Sequence, residues 1–445
     1  MPFILPYCPF IANRAPNQDN YAVITTRIQQ LTRSAGLWHG LVMTGSTVIA
    51  GGLDYLFNIF SGRLLDPIAY SILISVLAIL QILLHATNVI RNVVAYYTAE
   101  ISSAADAPPR LGQFLRRSHR WAWRWGLVAT LLMALLSPLL ARLLQLPTPH
   151  PLWAASLALL MLFVRPVTDG FLQGTQNFTR LAAVAVFQSS LRLAFALLLI
   201  QWGLSAFGAV LALPLATTSA YLLAVWFLRP YLQTARPATP NKQVSWRYSA
   251  HTLLGLLTFA LLVNLDAIVV KALFSPEIAG NYAPVITLGK INLFIPLAIG
   301  MVLFPKAIQR HASGRDGRRL LLAALFAALL PGLGLTTIFF LVPGFLTQFI
   351  FGDAYASLGV VVGLVGLATT FYAGINIWLN YALSTERPIY LYMLAVILIL
   401  QATAMLLLAT NLTAIATIMA TAGFMGNLAG AALMLRRRQP SEVHR

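Results

Sequence analysis

About twelve apolar runs divide the chain, at 37–60, 68–97, 119–143, 152–172, 181–202, 206–228, 248–273, 280–304, 319–342, 355–383, 389–409 and 413–435, each long enough to cross a bilayer. A helix rises about 1.5 Å per residue and a hydrocarbon core is about 30 Å thick, so roughly 20 apolar residues make one crossing. No water satisfies a backbone amide inside lipid, which makes helices the natural element for such runs. Only 9% of the 445 residues are charged and 59% are apolar, whereas a soluble domain carries about a quarter charged residues. The expectation is an all-α polytopic membrane protein with about 12 transmembrane helices. The short stretches between runs leave no room for a separate catalytic domain, which excludes secreted enzymes and nucleic-acid binders. The single Cys8 excludes a disulfide framework or a multi-cysteine metal site.

Positive charge sets the expected orientation, because cytoplasmic loops carry the excess of Lys and Arg. With the N-terminus inside, the loops on that side hold Arg110, Arg116, Arg117 and Arg120, then Arg229, Arg236, Lys242 and Arg247, then Lys306, Arg310, Arg315, Arg318 and Arg319, and finally Arg436, Arg437 and Arg438. The opposite side keeps Arg63, Arg142 and Lys271. Both termini are therefore expected in the cytoplasm. The outer connections are short, and the longest, from Pro343 to Ala354, reads as a loop.

The polar segment RPYLQTARPATPNKQVS (Arg229 to Ser245) interrupts the pattern and divides the chain into halves of six runs. The first outer turn of one half reads DPIAYS (Asp66 to Ser71), and its counterpart reads SPEIAG (Ser275 to Gly280). A Leu-Asp pair recurs in the first run of each half, Leu53-Asp54 and Leu265-Asp266. Halves with an even number of spans share one orientation and are related by an axis along the membrane normal, with a transport path between them. The expected organisation is a cytoplasmic tail at 1–36, in which Tyr21, Ile24, Ile28 and Leu31 have the spacing of a surface helix. An N-terminal six-helix lobe at 37–228, a cytoplasmic linker at 229–247, a C-terminal six-helix lobe at 248–435 and a basic cytoplasmic tail at 436–445 follow.

Three stretches resemble the multidrug/oligosaccharidyl-lipid/polysaccharide exporter (MOP) superfamily, and within it the Wzx-like oligosaccharide flippases. GLVMTGSTVIAGGLDYLFNIFSGRLLDPIAYSIL resembles the first span, outer turn and second span, and FLQGTQNFTRLAAVAVFQSSLRLAFALLL resembles the inner turn between spans four and five. The most specific is VNLDAIVVKALFSPEIAGNYAPVITLGKINLFIPLAIGMVLFPKAIQRH, Val263 to His311, which is similar to spans seven and eight with the following loop. The resemblance implies a V-shaped, MATE-like pair of six-helix lobes that opens alternately to each side while a polyprenyl-diphosphate-linked oligosaccharide turns over. It implies a bacterial or archaeal inner membrane, the lipid bilayer and polysaccharide assembly proteins as surroundings, and no cofactor.

A charge at mid-membrane costs about 2.5–3.5 kcal/mol on insertion scales, so each one needs an explanation. Lys290 in the eighth run and Arg192 in the fifth both fall roughly 15 Å deep. A cation from each half facing a shared cavity suits a diphosphate or an acidic sugar. Either cation is equally accounted for by a buried acid or by carbonyls within its own lobe. Arg91, near the inner end of the second run, either meets the entering headgroup or snorkels to water. Asp54 and Asp266, with Asn58 and Asn264 nearby, are candidates for gating across the cleft or for coupling to a proton or sodium, against ordinary hydrogen bonding inside each lobe. Arg165 and Asp169 are spaced to pair along one helix, and Gln81, His85, Gln188, Asn376 and Gln401 are further polar positions.

A drug/cation antiporter of the same superfamily is the nearest alternative, but it calls for a central acid where this chain has cations. A membrane-embedded glycosyltransferase or polysaccharide polymerase would need acids on an outer loop, and only Asp66 and Asp353 are offered there. No G-x-x-x-x-G-K-[ST] or H-E-x-x-H pattern occurs, so neither a phosphate loop nor a zinc site is expected, and no catalytic residue is assigned.

Overall fold

The computed structural model describes residues 42–102, 107–233, 246–294, 318–355, 358–385 and 387–434. The expected surface helix before residue 37, most of the linker, the loop with Lys306, Arg310 and Arg315, and the basic tail lie outside these residues. In chain order the helices are α1 (42–64), α2 (Pro67–Ser102), α3 (Ala107–Leu143), α4 (His150–Gly174), α5 (Phe178–Leu199), α6 (Ser205–Gln233), α7 (Trp246–Leu273) and α8 (Pro276–Gly289), then α9 (Arg318–Leu341), α10 (Pro343–Phe351), α11 (Val360–Ser384), α12 (Pro388–Leu408) and α13 (Leu412–Met434). No strand occurs among the described residues. Nine stretches among them are long and apolar enough to cross a membrane. One, Phe178–Gln233, is a hairpin: after a π-helical turn at Ile200–Leu204 the chain reverses through Gly203 and Ser205, at φ 82° and 47°, and α6 packs back along α5. The left-handed φ at the reversal is why a glycine stands there.

Prolines start several of these helices, at Pro67, Pro276, Pro343 and Pro388, where the missing N–H removes no intrahelical bond. Ser275 accepts from the Ile278 N–H and caps α8, and Asp66 does the same for Ala69 in α2. The repeated turns DPIAYS and SPEIAG are thus the same local device, a polar cap followed by proline.

The two halves repeat their packing. In the first, α4 lies against α2, α3 and α6, and α5 pairs with α6; in the second, α11 lies against α8, α9 and α13, and α12 pairs with α13. Small residues allow the close approach. Gly426 and Gly430 of α13 meet Ile375 and Trp378 of α11 so tightly that neither has room for a Cβ, and Gly170 and Gly174 of α4 sit on the Arg91 and Ala95 carbonyls of α2. Helices in lipid associate through such contacts and through polar cross-links. Asn427 is one: it donates to the Phe371 carbonyl at 2.8 Å and accepts from the Trp378 indole at 3.2 Å.

The halves meet at the end that carries the turns before α2 and α8. Residues Ala69 to Leu80 of α2 are buried, almost without interruption, in a helix that packs on α4 and α6 of its own half and on α7 and α8 of the other. Tyr70 and Thr287 share a hydrogen bond of 2.7 Å, and the buried Lys271 donates to Ser71 at 2.9 Å. Arg63 donates to the Phe349 and Ile350 carbonyls, Gln145 to the Ala272 carbonyl, and Tyr355 to the Gly62 carbonyl at 2.7 Å. Burial, and then the Asp66 charge, push the Tyr355 phenol upward, so it remains a donor. The stretch expected as a plain loop from Pro343 to Ala354 instead contains α10, and Phe351 at its end is buried beside Tyr70 and Tyr355. Proline at its start favours the helix and the buried Phe351 docks it, while Phe345 and Phe349 stack on each other on the exposed face. Lys271, counted on the outer side and inside the run 248–273, lies in the last turn of α7 and is 2% exposed. Past Leu80 the residues of α2 become half-exposed as the halves part towards the opposite, basic end.

Candidate functional site

The deepest hydrogen bond between halves, among the described residues, is made by Lys290. It lies roughly 21 Å along the helix from Pro276. Gly289 packs so closely on α11 that a Cβ would sit 2.8 Å from Val365 Cγ1, and the helix then tightens into a 3₁₀ turn over Lys290–Leu293. Asn292 pins that turn by donating to the Gly366 carbonyl at 2.9 Å and to Thr370 Oγ1 at 3.0 Å, while Thr370 reaches Thr336 at 3.0 Å. Mid-helix 3₁₀ stretches often mark hinges. Lys290 Nζ donates to Asn264 Oδ1 at 2.9 Å on α7 and to Gln81 Oε1 at 3.2 Å on α2. Its two described hydrogen-bond partners are neutral amide oxygens, one from each half.

Asp266, one half-turn from Asn264, is 1% exposed and accepts from the Tyr282 phenol at 3.1 Å through Oδ2, while its buried Oδ1 has no partner. It acts on Lys290 through space without forming a direct ion pair. Asn264 also donates back to the Ala260 carbonyl, which fixes its Oδ1 towards Lys290. Next to this group, Tyr372 donates to Gln401, whose amide donates to the Leu262 carbonyl. The α7 backbone is thereby tied to α12 and, through Gln401, to α11.

The first half holds a separate pair. Arg192 of α5 donates to Asp54 of α1 at 3.2 Å, and its guanidinium carbon lies 3.9 Å from the centre of the Phe57 ring. The Arg192 side chain is 13% exposed and that of Asp54 41%, so the carboxylate is the partner open to the cleft or to lipid. Asn58 donates to the Asp54 carbonyl within α1. Both aspartates therefore find their described partners within their own half in this arrangement, Asp54 in a cation and Asp266 in a phenol. Arg91 lies nearer the basic end of α2 with its Nε buried and unpartnered; Arg165 and Asp169 of the adjoining α4 approach to 3.3 Å, too poorly angled for a hydrogen bond. No group of three metal-ligating side chains is found among the described residues.

Sequence reasoning singled out Lys290, Arg192 and the two aspartates but not Asn292, Tyr282 or Lys271 as members of the polar framework. Asn292 was legible in principle as an amide in an apolar run two residues after the lysine. Nothing in the sequence paired Gln81 with Lys290 across 209 residues.

Among the described residues, two helical halves of matching packing, joined at one end and with a buried cation at their seam, make up a polytopic helical membrane protein. A family model described as "Polysaccharide biosynthesis protein" matches residues 121–360, more than half of the chain, and the protein belongs to that family. The fold is that of the MOP superfamily. The inward-facing form of a multidrug resistance MATE family transporter of that superfamily superposes with a TM-score of 0.68 at 13% identity, covering 87% of this chain and 98% of that one. Lipid II flippase MurJ in an inward closed conformation gives 0.64 at 10% identity, covering 88% and 87%. The outward-facing form of a multidrug resistance MATE family transporter gives 0.55 at 13% identity, covering 89% and 95%. No curated protein sequence matches the chain.

Proposed function

We propose that this protein is a flippase that carries a polyprenyl-diphosphate-linked oligosaccharide across the inner membrane of a bacterial or archaeal cell by alternating access, for cell-surface polysaccharide assembly. The observation that carries the reading is Lys290, a cation at the seam between halves whose described hydrogen-bond partners are the amide oxygens of Gln81 and Asn264. Amides satisfy an ammonium, but a diphosphate binds it with charge as well. Substrate can displace them without stranding a buried carboxylate, the costly outcome when an ion pair is broken. Arg192 is the second candidate ligand, and Arg91 is a candidate contact for the headgroup at the basic end. The family description supports polysaccharide as the end use, and the cargo in the flippase neighbour's name supports a lipid-linked form. A drug/cation antiporter shares the fold, but Asp54 is neutralised by Arg192 and Asp266 is enclosed with Tyr282, so neither offers an acid ready for a cationic drug.

In this reading the chain has twelve spans, six in each lobe, with both termini and the basic end in the cytoplasm. The seam is then the closed outer gate, and the structure is the inward-open state. The orientation is tested by labelling with Cys8 replaced: on intact cells an impermeant thiol reagent should modify Asp66→Cys but not Gly314→Cys, and the reverse pattern overturns it. The function is tested in proteoliposomes that hold a polyprenyl-diphosphate oligosaccharide in the inner leaflet. Lectin-accessible sugar should appear outside at least about tenfold faster than in empty vesicles, and equal rates would reject the flippase.

A further inference from the structure

Away from the seam, the first half contains a cavity of about 440 Å³ between α3 and α6 at the basic end, lined by Arg116, His119, Arg120, Trp123, Tyr221 and Val225 among others. The local sequence is RRSHRWAWRW, Arg116 to Trp125, and it places Arg116, His119, Arg120 and Trp123 on one helix face at three- and four-residue intervals. Immediately beyond, α3 exposes Leu127, Val128, Leu131, Leu132 and Leu135, the apolar surface of a helix in lipid. The cavity therefore lies where the apolar band begins, the level of lipid headgroups and of interfacial tryptophans. Trp121, Trp123, Trp125 and, across on α6, Trp226 are all at least 40% exposed there.

The polar groups are only partly used by the protein. Arg116 donates to the Leu232 carbonyl near the end of α6, which engages one of its five N–H groups. Arg120 is exposed. Trp123 makes only a long 3.4 Å bond to the Tyr221 hydroxyl. His119 faces the Leu115 carbonyl through Nδ1 at 3.0 Å, so Nδ1 carries the hydrogen, and its Nε2 is buried with no partner. In the neutral ring that nitrogen is an acceptor. Two guanidiniums beside an unused acceptor, walled by aromatic and aliphatic side chains, call for a ligand that combines a phosphate, a hydroxyl donor and an apolar tail.

We propose that this cavity binds the headgroup of an anionic glycerophospholipid of the phosphatidylglycerol type, with the phosphate on Arg116 and Arg120, a glycerol hydroxyl donating to His119 Nε2, and the acyl chains along Trp123 and Val225. Guanidinium forks match phosphate geometry, and basic juxtamembrane clusters attract anionic lipid. The site is separate from the seam, since α3 and α6 pack on helices of the first half. It does not depend on the cargo proposed above.

The test uses the full chain in a neutral detergent, with bound lipid counted by native mass spectrometry during titration with dioleoyl phosphatidylglycerol or dioleoyl phosphatidylcholine. The expected result is at least fivefold tighter binding of the phosphatidylglycerol, reduced at least fivefold by Arg120→Gln and about threefold by His119→Phe, with the melting temperature of the lipid-free protein unchanged. Arg120 is the better probe because replacing Arg116 also frees the Leu232 carbonyl. If Arg120→Gln fails to fold, His119→Phe carries the test alone. Equal affinity for the two lipids, or equal affinity of wild type and variants for phosphatidylglycerol, overturns the proposal. Displacement of the lipid by millimolar inorganic phosphate also overturns it, because the ligand would then be the free anion.

Discussion

Lys290→Ala is expected to insert and fold but to lower flipping at least tenfold, equivalent to about 1.4 kcal/mol of lost stabilisation on the transport path. The reason is the asymmetry of its partners. Gln81 and Asn264 are neutral, so removing the ammonium strands two amide oxygens, a cost of about 1–3 kcal/mol for each if unrelieved and less where water enters, and leaves the buried Asp266 to its Tyr282 hydrogen bond. The anionic cargo, by contrast, loses its charged partner at the seam. Lys290→Arg keeps the charge and should retain most of the activity if charge is what matters. Rates in the lectin assay, normalised to protein in the vesicles, decide it. Wild-type flipping by Lys290→Ala would show that this lysine has no part in transport.

Gly280→Ala is expected to shift the conformational balance away from the closed seam by roughly fivefold or more, through one methyl group. A Cβ at Gly280 would lie 2.9 Å from the Pro67 carbonyl carbon and oxygen across the interface, closer than side-chain carbons pack. Overpacking of this kind costs about 1–3 kcal/mol, and here only when the halves are pressed together. Alanine is also the better helix former, by about 1 kcal/mol, so α8 itself gains in both states and a general loss of folding is not the expected outcome. What opposes the shift is the set of cross-half bonds at Tyr70, Lys271, Arg63, Gln145, Tyr355 and Lys290, each contributing about 0.5–1.5 kcal/mol net and each offset by whatever the parted state gains. The wedge moves the balance when the two states lie within a few kcal/mol of each other. Spin labels at Asp66 and Glu277 report the separation of the turns. An unchanged distance distribution in folded Gly280→Ala protein would mean that the seam is not in a balanced equilibrium.

Much of the architecture was legible because it rests on patterns that lipid enforces. The apolar runs from 68 to 97 and from 355 to 383 had to be helices, since backbone amides in hydrocarbon have no other partner, and α2 and α11 occupy them. The repeated turns were legible because a cap and a proline are local signals, and both start a helix. Arg165 and Asp169 were legible as a pair for the same reason, being one turn apart. The helix inside the connection after Pro343 was not legible because nine residues are too few to show periodicity, and what holds it is the fit of Phe351 against Tyr355 and, from a distant part of the chain, Tyr70.

The sequence by itself determined that the chain is a helical membrane protein and that its halves echo one another. Hydrophobic length and local capping are properties of neighbouring residues, and they survive any change in how the helices are arranged. Only the tertiary structure decided the company each buried group keeps: that Arg192 is held by Asp54, that Lys271 crosses to Ser71, and that Lys290 rests between Gln81 and Asn264. Partner choice across more than a hundred residues follows from which helices pack and at what height, because hydrogen bonds and ion pairs act over a few ångströms while sequence separation carries no record of that distance.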